Sequence, residues 1–171
     1  MGLISILEAG RRDLLEATRG ISPEQASGKP TPKSWSVLEC IEHVVVVEDR
    51  FFSWISNGTS VTPQRNDENE IRLFTMIRNR FSKIEAPEVV HPQGRFETLA
   101  AALAGFQAVR DRSVQVVQER GDLLYSIGTA HPRFGKMNGA ELIHLIDGHA
   151  RRHVDQIREN CEALANAARS H

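Results

Sequence analysis

The stretch that decides the fold runs from Glu141 to Leu164, ELIHLIDGHARRHVDQIRENCEAL. Within it Leu142, Ile146, His149, His153, Ile157 and Leu164 recur at intervals of three, four or seven residues, which places them on one side of an α-helix. An aliphatic stripe of this kind turns toward a core, and two histidines stand in it. Their side chains lie one turn apart and about 40° apart around the axis. Such a pair can chelate one metal ion. It can equally be two core histidines hydrogen-bonded to side chains or water. The residues alone leave both readings open.

Working outward, Asn138 is read as the cap of this helix, with Glu141 at the third position and Met137 and Leu142 as a hydrophobic staple. The helix is expected to reach about Ala168, and His131 to Gly135 form the linker before it. A third long helix is expected from Phe96 to Arg120, burying Phe96, Leu99, Leu103, Phe106, Val114 and Val117, and closed by Gly121. Pro87 to Gly94 is a break. Residues 67 to 84 read as a shorter helix carrying Ile71, Phe74, Ile77 and Phe81, after a polar loop from Asn57 to Asn66. Upstream, Ser36 and Glu39 have capping-box spacing and open a helix to about Ile55. Ser22-Pro-Glu-Gln25 predicts one short capped turn, and Leu3 to Thr18 the first helix. Four long amphipathic helices without convincing strand alternation predict an all-α fold, a four-helix bundle formed by a single domain over residues 1–171.

Composition narrows the function classes. The 171 residues include 21 Lys+Arg and 22 Asp+Glu, spread along the chain, which is no nucleic-acid footprint. The valine run 44–47 is far too short for a membrane span, and Met1 to Glu8 lack the basic start of a signal peptide. Cys40 and Cys161 stand alone in helical patterns, as reduced thiols do, so the expected location is cytoplasmic. No Ser/His/Asp or Cys/His nucleophile pattern is present, and no catalytic residue is named.

A third histidine, His43, lies in the second helix between Ile41 and four valines. That window is apolar nearly all round, so periodicity does not fix its face. The run Trp35-Ser-Val-Leu-Glu-Cys-Ile-Glu-His43 resembles the W-S-x-x-E-x-x-x-H opening of the second helix in the DinB-like superfamily. Gly135-Lys-Met-Asn-Gly-Ala-Glu-Leu, followed by His149-Ala-Arg-Arg-His153-Val-Asp-Gln156-Ile157, is similar to its last-helix pattern ending in H-x-x-x-H-x-x-Q-I. That superfamily includes metal-dependent hydrolases of the YfiT type and the bacillithiol and mycothiol S-transferases. The resemblance implies a DinB-like bundle with long crossover connections and an extra short helix. It further implies a divalent metal ion held by His43, His149 and His153. Three imidazoles suit zinc, nickel or iron better than magnesium or calcium, and zinc is the first choice. The implied substrate is a small molecule, with transfer of a low-molecular-weight thiol to an electrophile ahead of metal-dependent hydrolysis, and a non-catalytic metal- or ligand-binding bundle as the rival. A homodimer is also expected to be possible.

Gln156 is read either as a partner of a ligand or as a packing residue. Glu42 points about 100° away from His43 and is expected in solvent. Arg110 continues the series Phe96, Leu99, Leu103, Phe106; an inward arginine there could bind an anionic substrate group, but drift of the 3.6-residue period favours the surface. His144, about 140° round the helix from His149, is expected not to be a ligand. His91 and His131 are loop histidines, and Trp35 a packing anchor.

Overall fold

A computed structural model describes residues 2–81 and 85–169. Four long helices form a bundle: α1 (Leu3–Ala17), α3 (Val37–Ser56), α5 (Leu99–Arg120) and α6 (Gly139–Arg169). Helices α1 and α3 each pack against both α5 and α6. A short α2 (Pro23–Ser27) joins α1 to α3, and α4 (Asp67–Arg78) lies along α6. No described helix is long and apolar enough to cross a membrane.

Local chemistry sets the helix starts. Ser22 with Gln25, and Ser36 with Glu39, form reciprocal capping boxes. At the start of α6, Asn138 Oδ1 accepts from the Glu141 amide at 2.9 Å, and Glu141 Oε2 accepts from the Asn138 amide at 2.8 Å. Helix α5 begins at Leu99, three residues later than its apolar pattern suggests, because the Thr98 hydroxyl accepts from Ala101 N and caps it there.

The structure adds an element that the sequence pattern does not display. Strands β1 (Thr59–Ser60), β2 (Ile127–His131) and β3 (Gly135–Asn138) form a small antiparallel sheet in that order. It sits where α3 ends and α6 begins, with β3 running directly into α6. Two helix faces also differ from expectation. On α4, Glu70, Leu73 and Ile77 are buried, while Ile71 and, beyond the helix, Phe81 are exposed; residues 82–84 of the expected helix lie outside the described residues. On α5 the buried stripe is centred on Ala102, Phe106, Val109, Arg110, Ser113, Val116 and Val117, and Phe96, Leu99, Leu103 and Val114 flank it half-buried.

The core has two apolar clusters. One gathers Leu7, Phe51, Ile55, Leu73, Leu142 and Ile146, and the other Leu14, Ile41, Val44, Phe106, Val154 and Ile157. Along α3, α5 and α6 a belt of buried polar residues falls between the two: Glu48, then Arg110 and Ser113, then Asp147. The expected surface position of Arg110 is thereby corrected. Its guanidinium is fully buried and donates to both oxygens of Glu48, to Asp147 and to the Leu7 carbonyl. Helical periodicity carries no information about an acidic partner on another helix.

Candidate metal centre

The three histidines singled out in the sequence come together in the folded chain. His43 arrives from α3, His149 and His153 from successive turns of α6, and they are 3, 8 and 5 % exposed. The nitrogen that each ring turns toward the others lies within 4.8 Å of its two counterparts. Ring centroids are 5.0 Å apart for His43 and His149, 4.8 Å for His43 and His153, and 4.7 Å for His149 and His153. Among the described residues, no carboxylate or thiol joins this group.

Hydrogen bonds fix the tautomers of two rings. His43 Nδ1 is 2.7 Å from the carbonyl oxygen of Val90, which can only accept, so Nδ1 carries the proton and Nε2 is bare. His153 Nδ1 is 3.0 Å from Gln156 Oε1. Arg80 Nη1 also donates to that oxygen at 3.3 Å, which identifies it as the carbonyl end of the amide. His153 therefore also donates from Nδ1 and leaves its Nε2 lone pair free. The third ring approaches through His149 Nε2, 3.1 Å from His43 Nε2. A proton on His149 Nε2 can serve only one of the two bare nitrogens, whereas a cation would accept lone pairs from all three rings. The donor set thus fits a divalent ion of the zinc, nickel or iron kind, with oriented outer-shell partners already in place.

Electrostatics favour the ligand-competent form. Burial pushes the pKa of His149 and His153 well below the ordinary imidazole value, with repulsion from neighbouring rings and from Arg152 adding to it. Burial lowers His43 as well, against a partial rise from its bond to Val90. All three rings are neutral at pH 7, as metal ligation requires.

Trp35 forms one wall. Its ring is stacked on His153 at 6.0 Å and tilted against His43 at 4.7 Å. The indole thus packs directly on the candidate site, which the packing-anchor reading did not anticipate. Glu42 is the second correction. Expected in solvent, it is 2 % exposed and accepts hydrogen bonds from the amides of Gln93, Gly94 and Arg95. No local pattern marks it, because its partners are loop amides about fifty residues away. Gln156 hydrogen-bonds His153, the contact that one of its two readings allowed.

The other described histidines, His91, His131 and His144, are not part of the cluster. His144 pairs with Glu70 at 3.0 Å between α6 and α4. His91 donates from Nε2 to the Ala86 carbonyl in an exposed loop. His131 lies among Phe51, Trp54 and Phe134, accepts at Nδ1 from the amides of Arg133 and Phe134, and is pushed down to about 4 by burial and by Arg133. Cys40 and Cys161 are free thiols, and burial pushes Cys40 up to about 12.

Comparison with known proteins gives concordant results. The sequence profile described as the DinB superfamily matches residues 6–157. The chain is 21 % identical over 164 residues to the uncharacterized protein YuaE of Bacillus subtilis (strain 168), covering 96 % of this chain and 100 % of YuaE. In three dimensions it is similar to YfiT from Bacillus subtilis, described as a probable metal-dependent hydrolase with an unusual four-helix bundle topology. The TM-score is 0.59 at 17 % identity, over 95 % of this chain and 86 % of YfiT. It is also similar to TT2238, a four-helix bundle protein, with a TM-score of 0.57 at 20 % identity, over 92 % of this chain and 96 % of that one.

Proposed function

The chain belongs to the DinB superfamily, and we propose that it is a divalent-metal-dependent enzyme whose ion is held by His43, His149 and His153. The observation that carries this reading is the pair of fixed Nδ1–H tautomers, which leaves bare Nε2 atoms on two rings from different helices in one buried cluster. Zinc is the first choice, with nickel or iron as alternatives. When bound, such an ion would lower the pKa of a thiol or water placed on it and supply a nucleophile near neutral pH. The chain's own contribution is to keep the imidazoles neutral, to orient two of them through Val90 and Gln156, and to shield them with the Trp35 ring.

The reaction favoured is transfer of a low-molecular-weight thiol to an electrophilic small molecule. Among the described residues no carboxylate stands in the cluster to serve as a general base for water, and a thiol needs less assistance to ionise than water does. Metal-dependent hydrolysis is the second reading, supported by the similarity to YfiT and its description. Self-association is a further part of the proposal, since Ile71, Met76 and Phe81 leave apolar surface exposed on and after α4.

The test begins with elemental analysis of untagged protein purified without added metal. The expected result is one divalent ion per chain, lost in His43→Ala and His149→Ala variants that still fold. The metal-loaded protein is then incubated with electrophiles, with and without a panel of thiols. Product that forms equally well without thiol overturns the transferase reading in favour of hydrolysis. A folded protein that takes up no divalent ion overturns both.

A further inference from the structure

The segment 88–95 crosses α3 and is tied to it at two places. At one, the Val90 carbonyl receives the His43 Nδ1–H at 2.7 Å, and the Val90 side chain is buried beside it. At the other, the Glu42 carboxylate accepts three consecutive amides: Gln93 N on Oε1 at 2.6 Å, then Gly94 N and Arg95 N on Oε2 at 3.0 and 2.9 Å. The Arg95 guanidinium stands 3.8 Å from the same carboxylate. Adjacent helix residues point about 100° apart, so the segment wraps that arc of α3, with His43 at one end and Glu42 at the other.

The chemistry of this clamp calls for a carboxylate. Burying one is costly unless its lone pairs meet donors, and here three oriented amides meet them with charge-assisted bonds. A glutamine in its place would present an NH2 group to at least one of these N–H groups in either orientation. A single helical turn, Glu88–Val90, ends at the first anchor, only His91 and Pro92 separate it from the second, and the chain turns at Gly94, where φ is +75°. Glu42 therefore sets where the Val90 carbonyl can lie.

We infer that Glu42 is a positioning residue for the histidine cluster. By clamping the amides of residues 93–95 it holds the Val90 carbonyl against His43, fixing the Nδ1–H tautomer with Nε2 turned toward His149. This deepens the metal-centre reading and rests on it for the effect on metal affinity, whereas the tautomer is a property of the metal-free chain.

The test uses the full chain, stripped of metal by a chelator, with 15N-labelled histidine at pH 7.5. Ring-nitrogen NMR reads the His43 tautomer, hydrogen exchange reads the amides of residues 93–95, and competition with a chromophoric chelator reads zinc affinity. In Glu42→Gln the amides are expected to exchange at least tenfold faster and His43 to lose its pure Nδ1–H form, with zinc affinity about 10–100-fold weaker. Gly94→Ala is strained at its positive φ but leaves the carboxylate in place. It should move all three readouts the same way by less, and keeps the test decisive if Glu42→Gln does not fold. Faster amide exchange with an unchanged His43 tautomer overturns the inference. A parent protein that takes up no zinc, together with the tautomer change in the variants, supports the inference and removes the metal reading. A parent that binds zinc, with tautomer and affinity unchanged in both variants, does the reverse.

Discussion

Arg110 of α5 and Glu48 of α3 meet through two parallel hydrogen bonds, Nε to Oε1 at 2.9 Å and Nη2 to Oε2 at 3.0 Å, with both side chains buried. The pair is the hub of a larger network. Ser113 donates to Glu48 at 2.7 Å, the Leu7 carbonyl accepts from Arg110 at 2.8 Å, and Asp147 lies 3.3 Å from the guanidinium while accepting from Arg151. All four bundle helices are thereby joined at the belt between the two apolar clusters. Removing the cation alone strands a buried carboxylate, so Arg110→Ala is expected to cost about 3–5 kcal/mol in urea unfolding. Replacing Arg110 and Glu48 together by apolar residues of similar volume should recover most of that loss. A single variant within about 1 kcal/mol of the parent would show that the network adds only what a surface ion pair does.

What the sequence disclosed and what it hid divide along a physical line. The capping boxes at Ser36 and Asn138 are contacts between residues three apart, so the spelling alone reveals them. The inward stripe of α6 is also local, because its period runs unbroken through His149 and His153. The face of His43 was not readable, since Val44 to Val47 surround it with apolar residues on every side. The burial of Arg110 and Glu42 is not legible locally for one reason: each is buried by a partner many residues away, Glu48 in one case and the 93–95 amides in the other. The sheet escaped notice because strands of two, five and four residues are too short to show alternation.

The histidines make stability depend on pH in a defined direction. Burial lowers the pKa of His43, His131, His144, His149 and His153 in the folded chain. In the unfolded chain histidines take up protons as pH falls through about 6.5, whereas His131 in the native state waits until about 4. Between those values the unfolded state binds more protons, so stability is lost as pH falls. Glu70, raised by burial, works the other way. The urea midpoint of metal-free protein should therefore be lower at pH 5 than at pH 7.5. An equal or higher midpoint at pH 5 would show that the histidines are solvated.

Gly148, one residue before His149, is a point of close approach between α6 and α4. A Cβ there would lie 2.9 Å from the Phe74 carbonyl oxygen and 2.5 Å from Ile77 Cγ2. The Ile77 side chain can turn aside, but the Phe74 backbone cannot yield without moving α4. Gly148→Ala gains about 1 kcal/mol of helix propensity and meets an overpacking cost of about 1–3 kcal/mol. The expected net effect is a lower thermal midpoint. A higher midpoint would mean that α4 is free to shift away from α6.

Gln156 Oε1 receives both His153 Nδ1–H at 3.0 Å and Arg80 Nη1 at 3.3 Å, while Arg80 is itself held by Glu159. The amide is thus oriented from outside and in turn orients the ring. Gln156→Leu removes the acceptor and should weaken zinc binding about tenfold or more. Gln156→Glu keeps an acceptor for both donors and adds a negative charge that strengthens the ring's basicity, so zinc binding should be retained or tightened. A residue that only packed between helices would rank the two in the opposite order, since leucine suits an apolar contact and glutamate does not. Chelator competition at one fixed pH, with urea unfolding run alongside to compare stability, separates these cases. Leucine binding zinc more tightly than glutamate at equal stability would remove Gln156 from the metal centre.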